Sequence, residues 1–193
     1  MFNAIQDSYL ESLKILQDFC LNPDNFNQTK EIAELLKKTF DGGFKVMIAG
    51  NGGSACDAMH FAEEFTGKFR KDRKPLPVIG LTDPAHITAV GNDFGFDEVF
   101  ARSIEAYGKA GDVFIGITTS GNSPNIIKAC EKAREMQIKT IGLLGRDGGK
   151  LKGQCDFEFI IPGKTSDKVQ ELHMTILHII IESTERLLFP ENY

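Results

Sequence analysis

From Phe44 onward the chain alternates short apolar runs with stretches of helical periodicity, and that alternation restricts the fold more than any other feature. Lys45-Val46-Met47-Ile48-Ala49-Gly50 opens the series, and runs at 78–81, 112–117, 140–144 and 157–161 follow as buried parallel strands. Helices are expected between them, including 55–65, 96–107 and 125–136. Such repetition requires right-handed crossovers and a parallel sheet covered on both faces. Upstream, Ile5, Tyr9, Leu13, Leu16 and Cys20 recur at helical spacing, and Asn22-Pro23 interrupts them. Ile32, Leu35, Leu36 and Phe40 then continue on a second helix, which Asp41-Gly42-Gly43 ends. The expectation is one α/β domain over 1–193: a three-layer αβα sandwich on a five-stranded parallel sheet, preceded by an N-terminal helical pair over 1–40. A length of 193 residues with 41% hydrophobic content suits a single core.

Two strand-to-helix connections carry the chemistry. After the strand at 112–117 comes Thr118-Thr119-Ser120-Gly121-Asn122-Ser123-Pro124-Asn125, with Ser123 suited to an N-cap and Pro124 to the first helical position. Hydroxyls, a glycine and a new helix N-terminus at the carboxyl end of a strand favour an anion, most simply a phosphate. The same residues would also make an ordinary turn. The strand at 45–50 leads into a second such loop, Asn51-Gly52-Gly53-Ser54. Two loops of this kind suggest one crevice in an α/β sheet. Their spacing matches neither the dinucleotide fingerprint nor a Walker A loop, which leaves a small phosphorylated ligand as the better candidate.

Just past the Gly-rich loop, His60 and Glu64 stand four residues apart and share a helix face. Such a pair can hold a divalent metal, support acid–base work, or be a surface i, i+4 pair. Asn92-Asp93 places an acidic group in an expected turn. The last helix, 167–188, offers Asp167, Gln170, His173 and His178. His178 is the sole polar side chain between Ile176 and Ile181, and its ring nitrogens need polar partners. Gln170 and His178 are about 12 Å apart along a helix axis. The stretch 176–181 is otherwise apolar in every direction, which predicts cover from a partner chain and hence a homo-oligomer. On that expectation Ile180→Glu would dissociate or misfold the protein.

Other classes are excluded. A net charge of −5 with mixed signs leaves no basic stripe for nucleic acid. Lys68, Arg70, Lys71, Arg73 and Lys74 form one basic cluster, read as a solvated loop. No apolar run approaches the ~20 residues of a membrane span, and the first residues do not resemble a signal peptide. Cys20, Cys56, Cys130 and Cys155 lack a paired spacing and read as reduced thiols, so a cytoplasmic protein without a membrane partner is expected. Cys56 stands out by its place beside the Gly-rich loop.

Gly50-Asn51-Gly52-Gly53-Ser54, the segment from Asp57 to Glu64, Gly91-Asn92-Asp93-Phe94-Gly95, the loop 118–123 and the segment from Asp167 to His173 occur together in this order. Taken together, they resemble the sugar isomerase (SIS) family and, within it, the phosphoheptose isomerases. The likeness spans nearly the whole chain. It implies conversion of D-sedoheptulose 7-phosphate to D-glycero-D-manno-heptose 7-phosphate through an enediol, the entry to the heptose of bacterial surface glycans. It implies Thr118, Thr119, Ser120 and Ser123 at the phosphate, and Asn51, Gly52, Gly53, Ser54, Glu64, Asn92, Asp93, Asp167 and Gln170 about the sugar. Glu64 and His178 would be the catalytic acid–base pair. His60, Glu64, Gln170 and His178 would hold one zinc ion per subunit of a homotetramer whose sites draw on more than one chain. Lys68 stands where the family carries Arg, which loses bidentate geometry. SIS domains also include sugar-phosphate sensors and a non-catalytic relative that associates with a replication initiator. Glu64, Gln170 and His178 favour the enzyme.

Overall fold

The computed structural model describes residues 1–193. Two long helices, α1 (Phe2–Cys20) and α2 (Pro23–Asp41), lead into the alternating part. There follow β1 (Val46–Gly50), α3 (Gly53–Thr66), β2 (Val78–Gly80), α4 (Pro84–Asp93), α5 (Val99–Tyr107) and β3 (Val113–Thr118). The chain then forms α6 (Pro124–Glu135), β4 (Lys139–Gly145), β5 (Phe157–Ile161) and α7 (Ser166–Leu188). The five strands are all parallel, in the order β2-β1-β3-β4-β5. One apolar core lies between the sheet and α1, α2, α3 and α7, and a second between the sheet and α4, α5 and α6. The expected three-layer sandwich with its N-terminal helical pair is therefore present, although the pair packs into the first layer instead of standing apart.

Three local expectations are corrected. The segment 96–107 is not one helix: a 3-10 turn, Phe96–Glu98, precedes α5, after Gly95 at a φ of +93°. Asn92 and Asp93 do not lie in a turn but end α4, whose N-terminus Asp83 caps by accepting from Ala85 and His86. That helix has no apolar stripe to betray it, since Val90 is its one buried residue.

The third concerns the stretch 176–181. Ile176, Leu177, Ile180 and Ile181 are all buried within the single chain, because α7 is packed against α1, α2, α3 and the sheet. Ile179 alone remains open, at 46% exposure. The unpartnered apolar surface lies on α1, where Phe2, Ile5, Tyr9 and Leu13 are 52–80% exposed. Substituting Ile180 would thus break the core of one chain and would not probe assembly.

Candidate active site

The strand order reverses direction between β1 and β3, and a ligand crevice in this class of sheet opens at such a point, beyond the carboxyl ends of the strands. Both loops singled out in the sequence end there. They are tied by a reciprocal amide pair. Asn51 Nδ2 donates to Asn125 Oδ1 at 2.9 Å, and Asn125 Nδ2 donates to Asn51 Oδ1 at 2.8 Å. Asn125 ends the segment singled out from sequence but is given no role there; it lies one residue past Ser-Pro, on the buried side of the first turn of α6.

Within the second loop the hydroxyls are already engaged with one another. Thr118 Oγ1 lies 2.9 Å from Ser123 Oγ, so Ser123 occupies the N-cap position of α6 without capping it by its side chain. Thr119 Oγ1 lies 3.0 Å from Ser166 Oγ at the start of α7. Ser120 Oγ accepts from the Asn122 amide at 3.2 Å. Gly121 has a φ of +65°, and a Cβ there would come within 1.8 Å of the Gly148 carbonyl oxygen, so only glycine lets the loop close against 148–149. The N-termini of α3, α6 and α7 converge on this rim, and the first-turn N–H groups of each helix lack intrahelical acceptors. Three positive dipole ends give it the electrostatics to attract an anion.

A second cluster lies on the flank, between α3 and α7. His60 Nε2 is 3.3 Å from Glu64 Oε1, and the His60 ring meets the His178 ring edge-on with centroids 5.0 Å apart. Ligating atoms of His60, Glu64 and His178 all lie within 4.8 Å of one another. Phe69 stacks on His178 at 6.0 Å. Partial burial first, then the like charge of His60, pulls the His178 ring below its ordinary value, and Glu64 opposes that shift. His178 is therefore a neutral imidazole at neutral pH. One turn before His60, Asp57 buries an oxygen with no hydrogen-bond partner, and burial pushes its carboxyl up to about 6 against the attraction of His60.

The remaining expected residues fall as follows. Gln170 belongs to the rim in this chain: its Nε2 donates to Ser54 Oγ at 3.3 Å, and its amide packs on Gly53, where a Cβ would lie 2.6 Å away. Asp167 is exposed in the first turn of α7, its carboxyl lowered chiefly by the Thr165 hydroxyl. Asn92 and Asp93 are exposed and bonded to each other at 2.8 Å, in the opposite helical layer from α3 and α7. His173 is buried, donates from Nε2 to the Leu144 carbonyl at 3.0 Å, and is pushed down to about 4 by burial. Lys68 and Cys56 are exposed. The basic cluster is exposed except at Arg73, whose side chain is buried in an ion pair with Glu185, and the expectation of a merely solvated loop fails also at Arg70, which pairs with Glu182 at 2.8 Å.

The SIS-domain family model matches residues 9–145, which hold both loops and the His60–Glu64 pair but stop short of α7. Whole-chain comparisons extend past it. The phosphoheptose isomerase of Fusobacterium nucleatum is 60% identical over 186 residues, covering 96% of each chain. That of Vibrio cholerae is 47% identical over 185 residues, covering 95% of this chain and 97% of the relative. The structure of a phosphoheptose isomerase from Francisella tularensis superposes with a TM-score of 0.90 at 34% identity, covering 96% of this chain and 98% of the other. The Neisseria gonorrhoeae enzyme gives 0.88 at 36%, covering 95% and 97%. A likeness of this strength, running from α1 through α7, leaves neither fold nor lineage open: the chain belongs to the SIS-domain family and, within it, to the phosphoheptose isomerases.

Proposed function

We propose that this protein interconverts a seven-carbon ketose phosphate and its aldose, D-sedoheptulose 7-phosphate and D-glycero-D-manno-heptose 7-phosphate, through an enediol. The observation that carries the reading is the meeting of one carboxylate and two imidazoles between α3 and α7 in a relative of named isomerases. The rim holds the phosphate, and its binding energy positions the reacting carbons. Glu64 takes the C1 proton of the ketose and returns a proton at C2. His178, neutral at working pH, moves the proton between the two hydroxyl oxygens. Every residue of that scheme is present, which disfavours a purely binding role. An NMR assay of the purified protein against seven- and six-carbon ketose phosphates tests it, with conversion of the heptose phosphate expected and inertness towards all of them decisive against it.

His60, Glu64 and His178 fit a divalent ion, zinc above others, one per chain: two nitrogen donors, one of them held neutral, and a carboxylate share one small volume. An ion there would act as a Lewis acid on a substrate oxygen. Glu64 as a ligand would be a weaker base, so the two roles compete. In the same chain Gln170, the fourth expected ligand, is bonded to Ser54 at the rim. Elemental analysis of protein purified without chelator decides the metal.

A homotetramer with sites shared between chains completes the proposal. Residues 53 and 64 lie about 16 Å apart along α3. An extended chain advances about 3.4 Å for every three bonds, so the seven bonds from C2 of the substrate to phosphorus span about 8 Å. The separation along α3 is about twice the substrate's own length, which supports a site that pairs the rim of one chain with the cluster of another. The bare face of α1 and an apolar groove of about 410 Å³ beside it, lined by Leu16, Phe19, Phe26, Leu172, Ile176 and Ile179, supply the surface for assembly. Light scattering on Leu13→Glu should show dissociation together with lost turnover. A fully active monomer would refute the shared site.

A further inference from the structure

The Arg73 side chain is 1% exposed although the other basic residues of its loop are exposed, and its guanidinium is fully engaged. Nη2 donates to the carbonyl of Glu64 at 2.6 Å, and Nη1 donates to those of Phe65 and Gly67, both at 2.8 Å. Those oxygens belong to the last turn of α3 and the residue beyond it, where a helix has no N–H of its own to offer. A cation also suits the negative end of the helix dipole. Nε donates to Glu185 Oε1 at 2.6 Å, and Glu185 is itself 3% exposed. Its second oxygen accepts from the Tyr193 hydroxyl at 2.9 Å. Tyr193 is covered in turn by the Arg186 guanidinium, 4.4 Å above its ring.

The positions of these partners matter more than their number. Glu64 is on α3, and His178 is on α7. Glu185 stands seven residues after His178, two turns along the same face. Arg73 thus joins the very turn that carries Glu64 to the helix that carries His178. We infer that Arg73 is a positioning residue for the isomerisation: it braces α3 against α7 so that the Glu64 carboxylate is held facing His60 and His178, with Glu185 and Tyr193 fixing the brace. This rests on the isomerase reading above. Lysine keeps the charge but offers a single ammonium, which cannot span Glu185 and three carbonyls in one plane. No contact of Arg73 reaches the rim, so phosphate binding is outside its influence.

The test combines kinetics with structure on the full-length protein. Arg73→Lys should lower kcat about 30-fold or more with KM within twofold of the parent, and should raise the primary isotope effect on ketose deuterated at C1. Tyr193→Phe, which loses one hydroxyl and keeps the brace, should lower kcat only two- to fivefold. In the crystal structure of Arg73→Lys the Glu64 carboxylate should leave its 3.3 Å approach to His60. A melting point lowered in either variant, with kcat, isotope effect and the Glu64–His60 approach unchanged, would reduce Arg73 to a structural cap and overturn the inference. Should the parent protein fail to isomerise the heptose phosphate, the functional reading falls, while the crystal structure still decides whether Arg73 places Glu64. If Arg73→Lys does not fold, Glu185→Gln examined by the same three measurements decides it.

Discussion

The rim at the ends of β1 and β3 and the cluster between α3 and α7 are built on opposite principles. The rim is backbone, hydroxyls and amides bonded within its loops and across to the starts of α6 and α7, with three helix N-termini behind it, and its key groups carry no charge that titrates near neutrality. The cluster is all titratable side chains, and no two neighbours in sequence take part. The rim can attract and orient an anion but cannot move a proton. The cluster can move protons but has no anion seat. On the proposed roles, binding and chemistry reside in separable parts, so substitutions should separate KM from kcat.

Glu64→Gln should have the largest effect. The amide keeps the size and loses the base, so kcat should fall about 10²–10⁴-fold with KM little changed, measured by the isomerase assay on protein of unchanged mass. Near-normal turnover would erase the division of labour. Gly121→Ala comes next. A Cβ 1.8 Å from the Gly148 oxygen forces the loop apart, and the positive φ adds roughly 1–2 kcal/mol. Substrate affinity should fall more than tenfold, and calorimetry with inorganic phosphate would show the same loss. Ser120→Ala removes one hydroxyl from the rim and should raise KM by about tenfold, the equivalent of a hydrogen bond to a charged group. A loss confined to kcat would move Ser120 out of the phosphate seat.

The smallest effect is on stability against pH, and it has opposite signs in the two regions. His173, which holds the Leu144 carbonyl near the rim, titrates near 6.5 unfolded and about 4 folded. Below 6.5 the unfolded chain binds a proton that the fold refuses, so His173 removes stability as pH falls towards 4, by about 3 kcal/mol in all. Asp57, beside the cluster, has its folded value raised to about 6 from 3.8. The fold keeps that proton more tightly, so Asp57 adds stability as pH falls from 6 to 4 and loses it as pH rises through 6. Being half-exposed, it offsets only part of the His173 effect. Thermal midpoints from pH 4 to 6.5 should fall more steeply on acidification in Asp57→Asn than in the parent, and less steeply in His173→Gln. Parallel curves would count against both shifts.

The sequence by itself determined the layered sheet, because five apolar runs separated by helical periods admit few other arrangements. It also determined the two loops of the rim, since hydroxyl- and glycine-rich turns after strands are local patterns. The His60–Glu64 pair was legible for the same reason: four residues on a helix make neighbours. What lies across helices was not. The meeting of His178 with that pair, the reciprocal bond of Asn51 and Asn125, and the burial of Arg73 against Glu185 each join residues 74 to 118 positions apart, and no local period records them. The same limit explains the stretch 176–181, which is apolar in the sequence but does not say whose surface covers it. Only packing decided that α2 and α3 of the same chain bury it and that the open face belongs to α1, because burial is a property of what surrounds a side chain and not of the side chain itself.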